Sequence, residues 1–159
     1  MRKFFLTLCL GLSLLIFPFC LITSLPAMAA VNSEMVKSEV DLQGAIDSFL
    51  TSLPKDYYTV MKIDTLKNIV KKDNAFLIDV RQPSEYASGH IPNAINIPLQ
   101  TLTTHLDKIP KNRPVILYCT TGYRSALGVM SLRILGYTNI RAFPPSIQGW
   151  KAAGETLEK

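Results

Sequence analysis

The chemistry that this sequence offers centres on one cysteine, Cys119. It follows the apolar, β-rich run Val115–Tyr118 and precedes a short loop with one glycine, Gly122, after which the spacing becomes helical. A cysteine at the carboxyl end of a parallel strand faces backbone N–H groups and the positive end of the next helix. Such surroundings favour the thiolate over the thiol, whose ordinary pKa is about 8.5. Arg124 closes the loop and adds a fixed positive charge, so the segment predicts a nucleophilic cysteine.

The first thirty residues have the composition of an export signal. Two basic residues follow Met1, and a charge-free apolar stretch then leads to a small-residue Ala-x-Ala pattern that ends at Ala29. This pattern predicts a signal peptide over residues 1–29, cleaved after Ala29, and an exported protein in a periplasm or a comparable lumen. The apolar part, residues 4–25, is also long enough to be retained as a membrane anchor.

Export makes the cysteine count informative. Cys9 and Cys20 lie in the predicted leader, so the mature chain keeps Cys119 alone. A single thiol forms no internal disulfide, and an odd cysteine in an exported protein indicates a reactive thiol. The alternative is a buried strand-end cysteine that acts as a small hydrophobe.

Beyond the leader, predicted strands alternate with predicted helices. Residues 30–56 form an N-terminal extension with a helix over residues 38–53, where apolar residues recur at helical spacing. The predicted strands cover residues 57–61, 75–80, 95–97, 115–118 and 139–143, and the best helix covers residues 125–135. Strands that are apolar throughout are typical of a parallel sheet covered by helices on both faces. The ligand site of such a sheet lies beyond the carboxyl ends of its strands, which is where Cys119 falls.

Three segments of the chain form a recognisable set. They are LIDVR with its continuation to GHIP at residues 77–92, CTTGYR at residues 119–124, and GY with the later WKAAG at residues 136–154. Together they resemble the rhodanese domain, a sulfurtransferase family, over a domain predicted at residues 57–156. The resemblance implies a five-stranded parallel sheet flanked by helices on both faces, with the N-terminal helix as an addition.

The resemblance also implies a reaction. Cys119 would accept sulfane sulfur as a persulfide from a small donor and pass it to a thiol or cyanide, or to a protein acceptor. The predicted persulfide-binding loop comprises Thr120, Thr121, Gly122, Tyr123, Arg124 and Ser125. Backbone N–H groups of this loop, with the hydroxyls of Thr120 and Thr121, would stabilise the persulfide anion. By the family pattern Arg124 fixes the loop or holds an anionic donor; alternatively it pairs with a carboxylate such as Glu85 or Asp79.

Two supporting residues and two departures complete the predicted site. Asp79, at a strand end, either bonds local backbone or orients Arg81 and the loop. Thr120 stands where many members with thiosulfate activity carry a basic residue, which predicts weak thiosulfate turnover. The segment 143–147, FPPSI, stands where the family usually has a glycine pair, which predicts that the rim of the site beside the cysteine loop differs from that of other members.

Several function classes are excluded or less favoured. Basic residues are scattered without interleaved aromatic residues, which argues against nucleic-acid binding, and the predicted partners include a membrane only if the leader is retained. The spacing of His90, His105 and Cys119 matches no pattern of zinc ligands. We therefore expect no metal and no organic cofactor. A cysteine phosphatase is less favoured, because its loop has one more residue between the cysteine and the arginine. A thiol-disulfide oxidoreductase is also less favoured, because Cys119 has no Cys-x-x-Cys partner. A non-enzymatic sulfur carrier, sensor or interaction module with the same fold stays open.

Overall fold

The computed structural model of this protein describes residues 42–159. The predicted signal peptide, its cleavage site and the start of the predicted N-terminal helix therefore lie outside the described residues. The helices are α1 (42–51), α2 (Ile63–Asp73), α3 (Pro83–Ala87), α4 (Tyr123–Ile134) and α5 (Ser146–Ala152). The strands are β1 (Phe76–Asp79), β2 (Ile95–Asn96), β3 (Val115–Tyr118) and β4 (Ile140–Ala142), and short 3-10 helices lie at Leu99–Thr104 and Leu106–Lys108. No helix within residues 42–159 is long and apolar enough to cross a membrane.

The strands form one parallel sheet in the order β2-β1-β3-β4. Strand β3 lies between β1 and β4, and all four of its residues are buried, as its unbroken apolar sequence predicts. Asp79, the last residue of β1, is paired in register with Tyr118, the last residue of β3. The residues that follow these two strands therefore emerge side by side at the carboxyl edge of the sheet.

The predicted strand over residues 57–61 is wrong, because the sheet formed by the described residues has four strands and not five. Of residues 57–61, only Thr59 forms a parallel bridge, which joins Ala142 of β4. Tyr57 and Tyr58 have φ angles of 50° and 54°, in the left-handed region. Extended backbone requires a negative φ, so two left-handed residues in a row reduce the predicted strand to one bridge.

Helices cover both faces of the sheet. Side chains of a strand alternate between faces, and Leu117 of β3 packs in a core cluster with Val129 and Leu132 of α4. Ile116 of β3 packs on the opposite face with residues of α2 and α5, including Trp150. The predicted parallel α/β architecture is confirmed, and it holds β3 rigidly beneath the loop that begins at Cys119.

A buried tyrosine connects β3 to the turn that precedes β2. The Tyr118 hydroxyl accepts a hydrogen bond of 3.0 Å from the backbone N–H of Ile91. Burial raises the pKa of Tyr118, so the phenol stays neutral. The Tyr118→Phe substitution leaves that N–H unpaired, and we expect it to lower the free energy of unfolding by about 1–3 kcal/mol. Urea denaturation measures this, with Tyr57→Phe as the control because Tyr57 is exposed; equal effects of the two substitutions would contradict the account.

Candidate active site

Cys119 is the first residue after β3 and is 1% exposed. Its Sγ accepts a hydrogen bond of 3.1 Å from the backbone N–H of Gly122. Its own backbone is fixed as well, because its carbonyl accepts a hydrogen bond of 3.1 Å from the N–H of Ile147 in α5. The sulfur therefore lies in a rigid turn, at the carboxyl edge of the sheet where it was predicted.

The loop determines the ionisation of the thiol. Burial by itself raises the pKa of Cys119, but the backbone N–H groups of Ser125, Thr121 and Gly122 oppose it and hold the pKa below its ordinary value. These N–H groups belong to the loop and to the first turn of α4, whose N–H groups have no partner within the helix. The sequence-based expectation of a thiolate-favouring loop therefore has a structural basis in three converging donors.

Ser146 is a site residue that the sequence did not reveal. Its hydroxyl accepts a hydrogen bond of 3.2 Å from the N–H of Cys119 and lies 3.9 Å from the Cys119 sulfur. The hydroxyl's single proton goes to the carbonyl of Phe143 at 2.8 Å, so the contact with sulfur is the weaker of the two. Ser146 is fully buried with a φ of 52°. The segment that replaces the glycine pair thus supports the base of the cysteine loop.

Arg124 is held by Glu85 of α3. Its guanidinium donates two hydrogen bonds to that carboxylate, at 2.6 and 2.9 Å, and one to the hydroxyl of Thr120 at 2.6 Å. The Thr120 hydroxyl donates in turn to Glu85 Oε1 at 3.0 Å, not to the sulfur of Cys119. Arg124 thus pairs with Glu85, which was one of the predicted alternatives. The network of Arg124, Glu85 and Thr120 closes the loop.

The ion pair determines a pH dependence of stability. Arg124, with smaller help from the Gln82 N–H and Thr120, lowers the pKa of Glu85 to about 2. Because the folded pKa lies below the ordinary one, the pair stabilises the fold above about pH 4.3 and loses this effect as the pH falls towards 2.

The Glu85→Gln substitution tests this. Both side chains are about one-third exposed, so solvent screening limits the expected loss in the free energy of unfolding to about 1 kcal/mol at neutral pH. The difference from wild type should shrink as the pH approaches 2. Urea denaturation at neutral pH and at about pH 3 measures it. An equal loss at both values would show that Glu85 acts through packing instead of charge.

The other loop residues divide between structure and surface. The Ser125 hydroxyl is buried and donates to the Gly122 carbonyl at 2.8 Å, which tightens the turn into α4. Gly122 has a φ of 100°, as its predicted role in the curvature requires. Thr121 and Tyr123 are exposed, and Tyr123 is 82% accessible. Their side chains are therefore open to solvent at the surface of the loop.

Asp79 and Arg81, the predicted supporting residues, form a buried ion pair of 2.6 Å. Arg81 also donates to the carbonyl of Gly89 at 2.8 Å. The pair therefore positions the turn that ends at His90, and the Arg81 guanidinium makes no hydrogen bond to residues 119–125. Within residues 42–159, no cluster of His, Cys, Asp or Glu side chains is arranged to hold a metal ion.

Comparison with known proteins identifies the family. A family model for the rhodanese-like domain matches residues 62–153. A sulfurtransferase of Allochromatium vinosum is 31% identical over 88 residues, which cover 55% of this chain and 82% of that protein. A thiosulfate:glutathione sulfurtransferase of Saccharomyces cerevisiae is 33% identical over 109 residues, covering 57% of this chain and 76% of that one. The crystal structure of a rhodanese-related protein from Thermoplasma volcanium, 32% identical, superposes with a TM-score of 0.57 over 64% of this chain and 98% of its own. This chain belongs to the rhodanese-like domain family, whose members include sulfurtransferases.

Proposed function

We propose that this protein is a sulfurtransferase that moves sulfane sulfur through a persulfide on Cys119 to a thiol or cyanide acceptor. The observation that carries the proposal is the thiol itself, which is fixed 3.1 Å from the Gly122 N–H and has a lowered pKa. The names of two relatives, a sulfurtransferase and a thiosulfate:glutathione sulfurtransferase, support the same reaction class.

The first half-reaction loads the cysteine. The Cys119 thiolate attacks the outer sulfur of a thiosulfonate or persulfide donor, and a new S–S bond forms. The S–S bond of the donor breaks, and its electron pair leaves with the sulfite or thiolate product. No external oxidant is needed, because the transferred sulfur already has the sulfane oxidation level.

The loop then stabilises the product. The negative charge of a persulfide lies on its terminal sulfur, one bond beyond Sγ, which needs hydrogen-bond donors in fixed positions. The backbone N–H groups of Thr121, Gly122 and Ser125, which lower the pKa of the Cys119 thiol, are the donors available for this charge. They are held by the turn and by α4, so they do not have to reorient when the sulfur arrives.

The second half-reaction unloads the cysteine. An acceptor thiolate or cyanide attacks the terminal sulfur, the bond between the two sulfurs of the Cys119 persulfide breaks, and the electron pair returns to Sγ as the thiolate. Arg124 is hydrogen-bonded to Glu85 and Thr120. Glu85 partly neutralises its positive charge, so Arg124 attracts a dianionic donor less strongly. This favours donors less charged than thiosulfate, in agreement with the expectation drawn from Thr120.

The location of the protein is part of the same proposal. The basic, apolar and small-residue pattern of residues 1–29 supports export to a periplasm or a comparable lumen, where Cys119 would be the only thiol after cleavage. The intact mass of the protein recovered from an exporting host measures this directly. A mass equal to that of residues 30–159 supports cleavage after Ala29, whereas the full-length mass in the membrane fraction supports a retained anchor.

Mass spectrometry of the sulfur-loaded protein tests the function. We expect thiosulfate or a glutathione persulfide donor to add one sulfur atom, which peptide mapping places on Cys119. Cyanide or glutathione should then remove that sulfur within repeated turnovers. A persulfide that is stable to both acceptors would support the carrier instead of the enzyme. No added sulfur with either donor would contradict sulfur transfer altogether and would leave the interaction module.

A further inference from the structure

A second concave site lies at the opposite end of the sheet from Cys119. It is a cavity of about 510 Å³, and four of its lining side chains are cationic: Lys111, Arg113, Arg133 and Arg141. These residues and the cavity that they line are called the basic cleft below. Lys111 and Arg113 precede the first residue of β3, whereas Cys119 follows the last, so the length of the strand separates the two sites.

Two arginines of the basic cleft have no counter-ion among residues 42–159. The described part of the chain has five arginines, and Arg81, Arg124 and Arg141 each have a carboxylate within 4 Å. The two arginines that make no ion pair among residues 42–159 are Arg113 and Arg133, and both line the cleft. Arg81 and Arg124 do not line the cleft, and Arg141 lines it but is paired with Asp56. The uncompensated guanidinium groups are thus concentrated in one cavity.

Aromatic rings hold these cations in place. Arg133 lies 3.7 Å from the centre of the Tyr58 ring, Arg113 lies 4.8 Å from that of Phe76, and Lys111 lies 4.7 Å from that of Tyr137. A cation over an aromatic face is positioned by the ring and keeps its full charge. The same geometry with a carboxylate in place of each ring would cancel that charge. Three positive groups are therefore fixed in advance and left without a negative partner among the described residues.

The negative groups that face the cleft are few. Asp73, at the end of α2, is the one carboxylate among the described lining residues, and it makes no ion pair within residues 42–159. Arg141 shares its guanidinium between Asp56 and the Thr59 carbonyl, each at 2.6 Å. Burial lowers the pKa of Arg133, and the neighbouring charge of Arg141 adds to this. The charges of Arg133 and Arg141 therefore repel each other.

We propose that the basic cleft binds a small ligand that carries several phosphate groups. The volume of the cavity is in the range of small-molecule sites, about 300–1,000 Å³. Guanidinium groups match phosphate oxygens in pairs of hydrogen bonds, and a lysine ammonium adds a compact point charge. A ligand with several clustered charges would relieve the repulsion between the cations at once, which a singly charged ion cannot do. The cleft is separate from the proposed sulfur chemistry and does not depend on it.

Two side-chain hydrogen bonds fix the backbone beneath the cleft. The Asn139 side chain donates to the carbonyl of Pro110 at 2.8 Å and to that of Arg113 at 2.5 Å. These two bonds fasten the loop that carries Lys111 and Arg113 to the start of β4. The site therefore needs little rearrangement to bind, which favours affinity.

Isothermal titration calorimetry of the full chain with inorganic tripolyphosphate tests the proposal, at constant ionic strength. We expect saturable binding at one site. Lys111→Ala and Arg113→Ala should each raise Kd by about tenfold or more, because each removes a charged contact. Lys151→Ala removes the same charge from an exposed position on α5 and should leave Kd unchanged. Cys119→Ser should also leave it unchanged, since the cysteine lies at the other end of the sheet.

Three results would overturn the proposal. They are the absence of saturable binding to wild type, equal weakening by Lys111→Ala and Lys151→Ala, and loss of binding in Cys119→Ser, which would place the phosphate at the cysteine loop. Thermal unfolding of each variant without ligand shows whether it is folded. Arg113→Ala loses packing on Phe76, so Lys111→Ala, at an exposed position, decides the outcome if Arg113→Ala is unfolded.

Discussion

Replacement of Cys119 by serine is expected to lower kcat/KM for sulfur transfer by at least about a thousandfold. A serine hydroxyl is not ionised at neutral pH, and among residues 42–159 no histidine or carboxylate is hydrogen-bonded to Cys119 to act as its general base. Serine keeps the shape of the site, because its oxygen can still accept the Gly122 N–H that now bonds Sγ at 3.1 Å. The loss would therefore report the chemistry of sulfur and not the collapse of the loop. The rate of thiocyanate production from thiosulfate and cyanide measures transfer to cyanide. The rate of persulfide transfer to glutathione measures transfer to a thiol.

A second substitution separates this effect from general damage to α4. Ser131 donates its hydroxyl to the Leu127 carbonyl at 2.9 Å, within the helix and away from the loop. We expect Ser131→Ala to leave kcat/KM within about twofold of wild type. Activity of Cys119→Ser within tenfold of wild type, with a persulfide still formed, would show that sulfur travels by another route.

The sequence predicted the parts of this protein whose signals are local. The apolar runs at 75–80 and 115–118 predicted strands that are buried on both faces, and they form β1 and β3. The helical spacing at 125–135 predicted α4, which begins two residues earlier, inside the loop. The cysteine loop is continuous in sequence, so its members come together once the strand and helix are placed.

The sequence was uninformative where the structure depends on the backbone conformation of single residues or on contacts between distant positions. Nothing in the pattern of residues 57–61 shows that Tyr57 and Tyr58 are left-handed, and this converts a predicted fifth strand into one bridge at Thr59. Arg124 and Glu85 lie 39 positions apart, so the sequence alone does not distinguish Glu85 from Asp79 as the partner of Arg124.

Ser146 was missed for a similar reason. The segment 143–147 was interpreted as a changed rim, because a serine in place of glycine gives no signal of a left-handed φ or of a bond to the Cys119 N–H. The positive φ that glycine tolerates more easily is kept by a serine whose hydroxyl is doubly engaged. Hydrogen bonds that form only in the folded chain thus accompany a left-handed φ at a residue other than glycine.

Gly122→Ala is expected to have the second large effect, because it acts on the sulfur and on the fold together. The φ of Gly122 is 100°, which an alanine adopts only with strain. An added Cβ would lie 3.0 Å from the Pro144 carbonyl oxygen and 3.1 Å from its Cα, both backbone atoms that cannot move aside alone. We expect the free energy of unfolding to fall by about 2–4 kcal/mol. We also expect the Gly122 N–H to move away from Sγ, so that the pKa of Cys119 rises.

Gly136→Ala provides the matched control for this prediction. Gly136 also has a positive φ, 86°, but no atom lies within 4 Å of the position of its Cβ. The control therefore keeps the strain of an L-residue and omits the contact with Pro144, and we expect a loss of about 1 kcal/mol. The rate of Cys119 alkylation against pH distinguishes the two variants, because only Gly122→Ala should move its midpoint to higher pH. Equal losses of stability with an unmoved midpoint in both would mean that neither the Pro144 contact nor the Gly122 N–H determines the state of the thiol.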